Sequence, residues 1–436
     1  MAAAETARSG RTRQATCVIA GGGPAGMVLG LLLARAGVAV TVLEKHGDFL
    51  RDFRGDTVHP STITLLDELG LGAEFAALPQ TRVEEIAFPA ADGTNVVVGD
   101  LRRLRRWTKH PYIALTPQWD LLNLLAEAGS GEPAFTLRMN TEVTGLLRER
   151  GRVVGVRYRD ADGPGELRAA LTVAADGRWS LARRDMGWTP KEYPVPFDTW
   201  WFRVGREPDG ARTGLRPTMR SGRFVIDIPR EGFHQLAYLG RKGTDAELRE
   251  RGVEAFRREV AEIVPYVADR TGDIESMDDV KHLDVRLNRL RRWHADGLLC
   301  IGDAAHAMSP MGGVGINLAV QDAVAAARLL AAALREAETR RDVPTPSGSG
   351  PTTAELARVR RRRLLPTVAV QTLQRVMHRL VAAPVVEGRR LGPPKPMQVL
   401  MRRFPVASVV PAYLIGIGIR PERAPEFARR APSQAS

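Results

Sequence analysis

Three stretches of this 436-residue chain carry residue types and spacings that could do chemistry. The first, Gly21-Gly22-Gly23-Pro24-Ala25-Gly26, has the spacing GxGxxG. In that spacing Gly21 lets the chain turn, Gly23 admits a pyrophosphate close to the backbone, and Gly26 lets the next helix pack on its strand. The helix N-terminus then offers free N–H groups to the phosphate charge. Glu44, followed by Lys45, stands 18 residues beyond Gly26, where a carboxylate can accept from two ribose hydroxyls. This is dinucleotide chemistry, and the motif does not separate FAD from NAD. The second stretch is Ala174–Ser180, whose Asp176-Gly177 is by itself an ordinary turn dipeptide. The third, Ile301–Asn317, starts with Gly302-Asp303, which alone suits a strand end with an N-cap aspartate. It ends in Gly312-Gly313-Val314-Gly315-Ile316-Asn317, a second glycine turn that leads into a helix.

These residues need elements to position them. Ala15–Ala20 is apolar and strand-like, Ala25–Ala36 has helical apolar spacing, and Val38–Leu43 is a second strand ending at Glu44. That order, β-turn-α-β, starts a dinucleotide-binding sheet. Helices are expected over Ser61–Leu69, with Ser61 as N-cap, and over Asp120–Glu127; Val153–Arg159 and Leu171–Ala174 read as strands returning to the first sheet. From Gly187 to Asp296 the texture changes. Thr199–Val204, Phe224–Ile228 and His234–Leu239 read as an antiparallel sheet with a turn at Pro229–Gly232 and a helix over Ala246–Glu262, hence a second domain inserted in the first. Leu298–Ile301 reads as a buried strand and Asn317–Leu334 as a long alanine-rich helix. Beyond a Pro/Gly/Ser linker, Val370, Leu373, Met377, Leu380 and Val381 share one helical face.

Composition narrows the function classes. Apolar residues are 44% and charged residues 26%, which excludes wholesale disorder and fibrous repeats. Two cysteines, Cys17 and Cys300, cannot staple a secreted fold and form no zinc-binding spacing; both fall in expected core strands. The uncharged run Ala15–Ala34 is long enough for a membrane span, but its glycines suit a phosphate turn instead. The net charge of +13 is an arginine surplus, since only six of 63 basic residues are lysine. Codon bias explains it more simply than nucleic-acid binding, for which no motif is present, so no nucleic-acid partner is expected. The run Arg360–Arg363 reads as a solvated basic helix, with contact to an anionic membrane surface left open. Residues 1–14 read as a loose tail rather than a secretory leader, which points to the cytoplasm.

With all three stretches in order over roughly residues 16–330, the chain resembles the single-component FAD-dependent aromatic hydroxylases, the para-hydroxybenzoate hydroxylase-like flavoprotein monooxygenases. The resemblance implies an α/β fold: a Rossmann-like FAD-binding domain with an inserted, mainly antiparallel β-sheet substrate domain and a helical C-terminal segment. The FAD-binding domain would comprise 15–80, 110–186 and 290–340, and the substrate domain 81–109 and 187–289. A linker would run over 342–353 and the helical segment over 354–436. Gly21, Gly23 and Gly26 would hold the FAD pyrophosphate, and Glu44 with Lys45 the adenosine ribose side. Arg54, in Phe53-Arg54-Gly55-Asp56, would lie near the phosphates with Gln118 as partner, and Val143 by the adenine. Asp303 would bond the ribityl chain, and Asp176 and Gly177 would serve FAD and the passing nicotinamide. The backbone amides of Gly315, Ile316 and Asn317 would face the negatively charged N1–C2=O edge of reduced flavin.

The activity implied is monooxygenation of an electron-rich aromatic or polyketide-like small molecule. NADPH or NADH would act as transient reductant and O2 as oxidant, through a flavin C4a-hydroperoxide, with FAD held noncovalently and no metal. Baeyer–Villiger or epoxidising chemistry is the nearest alternative. A halogenase or prenyl reductase stands further off, because Trp200-Trp201-Phe202 lacks the halogenase Trp-x-Trp-x-Ile-Pro pattern. A non-catalytic FAD-binding or nucleic-acid-associated protein is the alternative of another class. No protein nucleophile is implied. His59 and Asp56 are the residues that could touch substrate, and His306 reads as structural. Alternation along their strand sends Trp200 to one face and Trp201 to the other, so that one can line a pocket.

Overall fold

The structure, a computed structural model, describes residues 12–50, 57–90, 94–206, 215–220, 223–230, 232–340, 350–389 and 392–431. A β-branched and apolar stretch forms the central strand Thr12–Ala20, which pairs in parallel with Gly163–Ala174 on one side and Val40–Leu43 on the other. Phe135–Arg138 and Leu298–Cys300 extend the sheet in parallel at its two sides, and Arg152–Asp160 with Glu142–Glu149 add an antiparallel flap. Because parallel strands end together, the three motif stretches all leave this sheet at its carboxyl edge. That edge is where open α/β sheets bind ligands.

Two helices cover the sheet. Pro24–Arg35 is buried along nearly its whole length, which explains why its sequence is apolar on every side. Gly315–Thr339 packs against it and is the only helix among the described residues long and apolar enough to cross a bilayer; its burial marks it as a core helix. The stretch Ala15–Ala34 resolves into a strand, a turn and a helix, so it is no span either.

The second layer is the antiparallel sheet Arg216–Arg220, Arg223–Pro229, Phe233–Arg241, Phe197–Gly205 and Lys281–Leu283. One face carries Trp200, Phe202, Val225 and Leu236 against the helix Gly252–Ile263. The other face, with Trp201, Ile226 and Ile228, turns toward Met308, Met311 and Val314 in the third motif stretch.

Several boundaries differ from the sequence expectation. The central strand starts at Thr12, inside the expected tail, because the long strand beside it supplies partners from Glu166 onward. His59, not Ser61, is the N-cap of Pro60–Glu68; Ser61 lies inside the helix and its Oγ bonds Asn317 and the Gly416 carbonyl instead. The helix expected over 246–262 is two, broken where Gly252 adopts φ +78°. Thr81–Val83 and Ile113–Leu115, expected in different domains, pair in one small sheet. The linker ends before 353, since Thr352 caps the next helix in a reciprocal capping box with Glu355.

That helix, Thr353–Met377, corrects two further expectations. Its continuation His378–Ala382 is a π turn, which adds a residue per turn and rotates Leu380 out to solvent while Val381 stays buried. The Arg360–Arg363 run is solvated only in part, with Arg361 exposed. Arg363 is 1% exposed and its Nε lies 3.0 Å from Oδ1 of the wholly buried Asp322, and Arg362 pairs with Glu422 at 2.6 Å. Asp322 also accepts from the Gly302 N–H at 3.1 Å and faces His306 Nε2 at 2.6 Å. Burial by itself would raise the Asp322 pKa, but His306 and Arg363 outweigh it and hold the carboxyl below its usual range. Arg363→Met therefore strips buried Asp322 of its guanidinium partner and should cost about 3–5 kcal/mol of stability. Denaturant unfolding of wild type and variant, compared at matched FAD content, measures the loss.

Candidate functional site

The first turn is built on close approaches. Gly21 takes φ +105°, donates its N–H to the Leu43 carbonyl at 2.8 Å, and a Cβ there would lie 2.4 Å from the Ala175 carbonyl oxygen. A Cβ on Gly26 would lie 2.0 Å from the Gly21 carbonyl oxygen, so only glycine lets the helix sit this near its strand. Gly23 is different: a Cβ there meets no protein atom within 4 Å. The first helical hydrogen bond is Met27 N–H to the Gly23 carbonyl at 2.9 Å, so the amides of Ala25 and Gly26 precede the ladder. Buried Glu44 accepts from the Gly22 N–H at 2.8 Å through Oε2 and from the His46 N–H at 3.1 Å through Oε1. These bonds fix its rotamer at the end of the second strand, and a carboxylate there is an acceptor-only group. Lys45 is exposed beside it.

The second and third stretches are locked together by a residue that sequence reasoning missed. Buried Arg183 donates to the carbonyls of both Asp303 and Ala304 from the helix Leu181–Asp185. Nothing in its spacing marked it, because a buried arginine is defined by carbonyls distant in sequence. Asp176 Oδ2 caps that helix, accepting from the Leu181 N–H at 2.7 Å, while its Oδ1 is buried with no partner and burial raises its pKa. Gly177 takes φ +81° with open space where a Cβ would be. Asp303 remains partly exposed just past the strand end, with Oδ2 3.4 Å from Arg178 Nη2. A Cβ on Gly302 would touch Ala25 and Ala319 at 3.3 Å, so this glycine brings both helix N-termini to the same point.

The glycine turn is held from two sides. Gly312 and Gly313 take φ +81° and +65°, and the Gly313 carbonyl accepts from Thr57 Oγ1 at 2.7 Å and from His59 Nε2 at 3.0 Å. Asn317 Oδ1 accepts from Ser61 and Thr62 at 2.7 and 2.8 Å. From the C-terminal side, the Gln374 amide nitrogen donates to the carbonyls of Ser309 and Met311 at 2.8 Å, and its oxygen accepts from the Ser309 N–H at 3.2 Å. His378 Nε2 lies 2.9 Å from Ser309 Oγ. Gln374 and His378 were also missed: a polar stripe buried on a helix reads as a solvent face until its partner is known. The next helix makes its first bond from Leu318 N–H to the Val314 carbonyl at 3.1 Å. The amides of Gly315, Ile316 and Asn317 therefore have no acceptor among the described residues. A Cβ on Gly315 would again meet open space.

These contacts gather Gly21, Gly26, Asp176, Asp303 and Gly315–Asn317 at one sheet edge. Gln118 opens the helix Gln118–Ser130 and Val143 lies half-buried on Glu142–Glu149; neither side chain bonds to that group among the described residues. Arg54 and Asp56 lie outside the described residues. His59 is fully buried, and burial pushes its pKa down to about 4, so it is a neutral ring that holds the turn. His306 is structural, bonded to Asp322, and both buried thiols are pushed up by desolvation. Trp200 donates to Asp245 at 2.7 Å on the far face of its sheet, whereas Trp201 faces the turn with its indole Nε1 buried and unpartnered. Among the described residues, no three or more His, Cys, Asp or Glu side chains gather as a metal site would need.

The donor set fits an extended dinucleotide: two helix N-termini for anionic groups, two carboxylates for hydroxyls, and two glycines, Gly23 and Gly315, whose missing Cβ leaves room for a ligand. A family model described as FAD binding domain matches residues 14–342. The 6-methylpretetramide 4-monooxygenase of Streptomyces rimosus is 36% identical over 349 residues, covering 75% of this chain and 76% of that protein. The para-nitrophenol 4-monooxygenase of Pseudomonas sp. (strain WBC-3) is 27% identical over 330 residues, covering 73% and 78%. Among solved structures, the OxyS anhydrotetracycline hydroxylase from Streptomyces rimosus superposes with a TM-score of 0.69 at 24% identity, covering 94% of this chain and 77% of that one.

The open glycines give a clean test. Gly23→Ala and Gly315→Ala meet no protein atom, so the apoprotein should fold as stably as wild type, while FAD affinity by titration should fall about tenfold or more, a cost of about 1.4 kcal/mol. Acid should also weaken the fold. His59 binds its proton near pH 6.5 when unfolded and near 4 when folded. Stability is then fully present above pH 6.5 and is lost as pH falls toward 4, by a few kcal/mol from this group. Unfolding free energies measured across that window, with His59→Gln showing a shallower slope, check it.

Proposed function

The chain belongs to the FAD binding domain family and is an FAD-dependent monooxygenase, and we propose that it hydroxylates a lipophilic, electron-rich aromatic of polyketide type. The observation that carries the substrate class is the 36% identity, across three quarters of both chains, to an enzyme named for 6-methylpretetramide. The surroundings of the glycine turn agree with it: Trp201, Ile226 and Ile228 pack in the same apolar clusters as Met308, Met311 and Val314, an environment suited to a flat ring system.

Bound FAD supplies electron transfer from NADH or NADPH and the activation of O2. The chain's part is binding, orientation and charge. Ala25 and Gly26 at the first helix N-terminus would hold the pyrophosphate, Glu44 the ribose, and Asp303 the ribityl hydroxyls, with Asp176 and Gly177 at the adjoining turn. The unpaired amides of Gly315, Ile316 and Asn317 would stabilise negative charge on the flavin ring, and they are preorganised because Asn317 is pinned by Ser61 and Thr62. Trp201 Nε1 is a buried donor left for a substrate oxygen, since an unmade hydrogen bond of that kind costs about 1–3 kcal/mol. The catalytic unit would comprise 15–80, 110–186 and 290–340 with the substrate sheet inserted. Dependence on an intracellular reductant supports a cytoplasmic location.

FAD-loaded enzyme should consume NADH or NADPH faster when a polycyclic phenol is added, and product formed under 18O2 should carry the label. Unlabelled product, or no acceleration by any aromatic tried, overturns the reading. Trp201→Phe keeps an aromatic side chain, though a smaller one, and loses the donor; kcat/KM should fall about tenfold, with FAD content unchanged.

A further inference from the structure

We propose that the C-terminal arm docks this enzyme on the surface of an anionic lipid bilayer, through the face formed by the helix Lys395–Arg403 and the segment that follows it. The helix is short, ends at Phe404, and turns sharply, by 110°, into Pro405–Gly416. On this bend Val399, Leu400, Phe404, Val406 and Val410 are between 46% and 66% exposed, and Trp107 joins them at 44%. Trp107 belongs by contact, with its ring 5.6 Å from that of Tyr413 on the second arm of the bend. Single exposed apolar residues need no explanation, but six large ones on one bend and its neighbour do.

Charge decides what covers them. Lys395, Arg402 and Arg403 flank the apolar residues on the arm, and Arg105 and Arg106 flank Trp107, all exposed. Between residues 395 and 420, and again between 101 and 119, there is no aspartate or glutamate. A second copy related by a two-fold axis would set these like charges against each other. An anionic bilayer accepts both parts at once: apolar side chains enter the headgroup boundary while guanidinium groups stay among the phosphates. Arg106 and Arg403 lie 5.4 and 5.8 Å from the rings of Trp107 and Phe404, so cation and aromatic ring are carried together at the same depth.

The inner side of the same arm borders the candidate site. Ile415 lies 3.8 Å from where a Cβ on Gly312 would stand, and the Gly416 carbonyl accepts from Ser61, which also holds Asn317. Docking would thus set the glycine turn next to the phase in which a lipophilic aromatic collects. That last step rests on the proposed substrate class; the docking itself does not.

The test is co-sedimentation of FAD-loaded full-length protein with vesicles of phosphatidylcholine alone or enriched in phosphatidylglycerol. Binding is expected to the anionic vesicles only and to weaken with salt. Leu400→Glu with Phe404→Glu should lower partitioning about tenfold or more, and Arg402→Gln with Arg403→Gln should remove much of the salt dependence. All four positions are exposed, and unchanged FAD content and circular dichroism verify folding. Protein that stays in solution with anionic vesicles overturns the proposal, as does a dimer in light scattering that Phe404→Glu converts to monomer without any vesicle binding. Since no turnover is measured, failure here is separate from failure of the hydroxylase reading, which the oxygen-label experiment decides.

Discussion

The carboxylate of Asp322 has no exposed surface, yet it accepts from the Gly302 amide, faces His306 and pairs with Arg363. Those three partners come from the end of a sheet strand, the run toward the glycine turn and the C-terminal arm, and Asp322 itself lies on the helix that starts at that turn. A buried ion held by so many parts of the chain is worth little as a source of net stability, but breaking it leaves charge stranded in a dry interior. It therefore fixes where the helix beginning at Gly315 sits relative to the strand ending at Cys300.

From that placement the donor geometry follows. Gly302 is close enough to Ala25 and Ala319 for both helix N-termini to meet at one edge of the sheet. Arg183 then ties the backbone of Asp303 and Ala304 to the turn carrying Gly177. Helix N-termini are the cheapest way to meet negative charge, because their amides lack acceptors in any case. The protein supplies two of them and keeps both approaches free of side chains with Gly23 and Gly315.

The C-terminal arm lies outside the span that matches the family, yet it completes the site. Its buried stripe of Gln371, Gln374 and His378 satisfies carbonyls and a hydroxyl along 288–311, while Arg363 on the same helix holds Asp322. A glycine-rich turn has few interactions of its own, so this external grip is what makes its amides a fixed array rather than a mobile loop. Further along, Lys395–Arg403 and the segment after it expose apolar and basic side chains, so the arm grips the turn with one helix and presents a surface with the next.

The sequence by itself determined the order strand, glycine turn, helix, strand, acid, and with it the parallel sheet and the dinucleotide. Those features are local: GxGxxG, the position of Glu44 and the Gly312–Asn317 turn act through backbone sterics and helix ends, which spacing encodes. Alternation likewise separated Trp200 from Trp201, although which of the two faced the turn needed the second layer. Tertiary structure alone decided the roles of Asp322, Arg183, Arg363, Gln374 and His378. Each is a polar residue whose partners are carbonyls or charges far away in sequence, and in a sequence it is indistinguishable from a solvated side chain. Burial changes the sign of its contribution, and burial depends on how layers meet, on Gly252 breaking a helix and on a π turn rotating Leu380 outward.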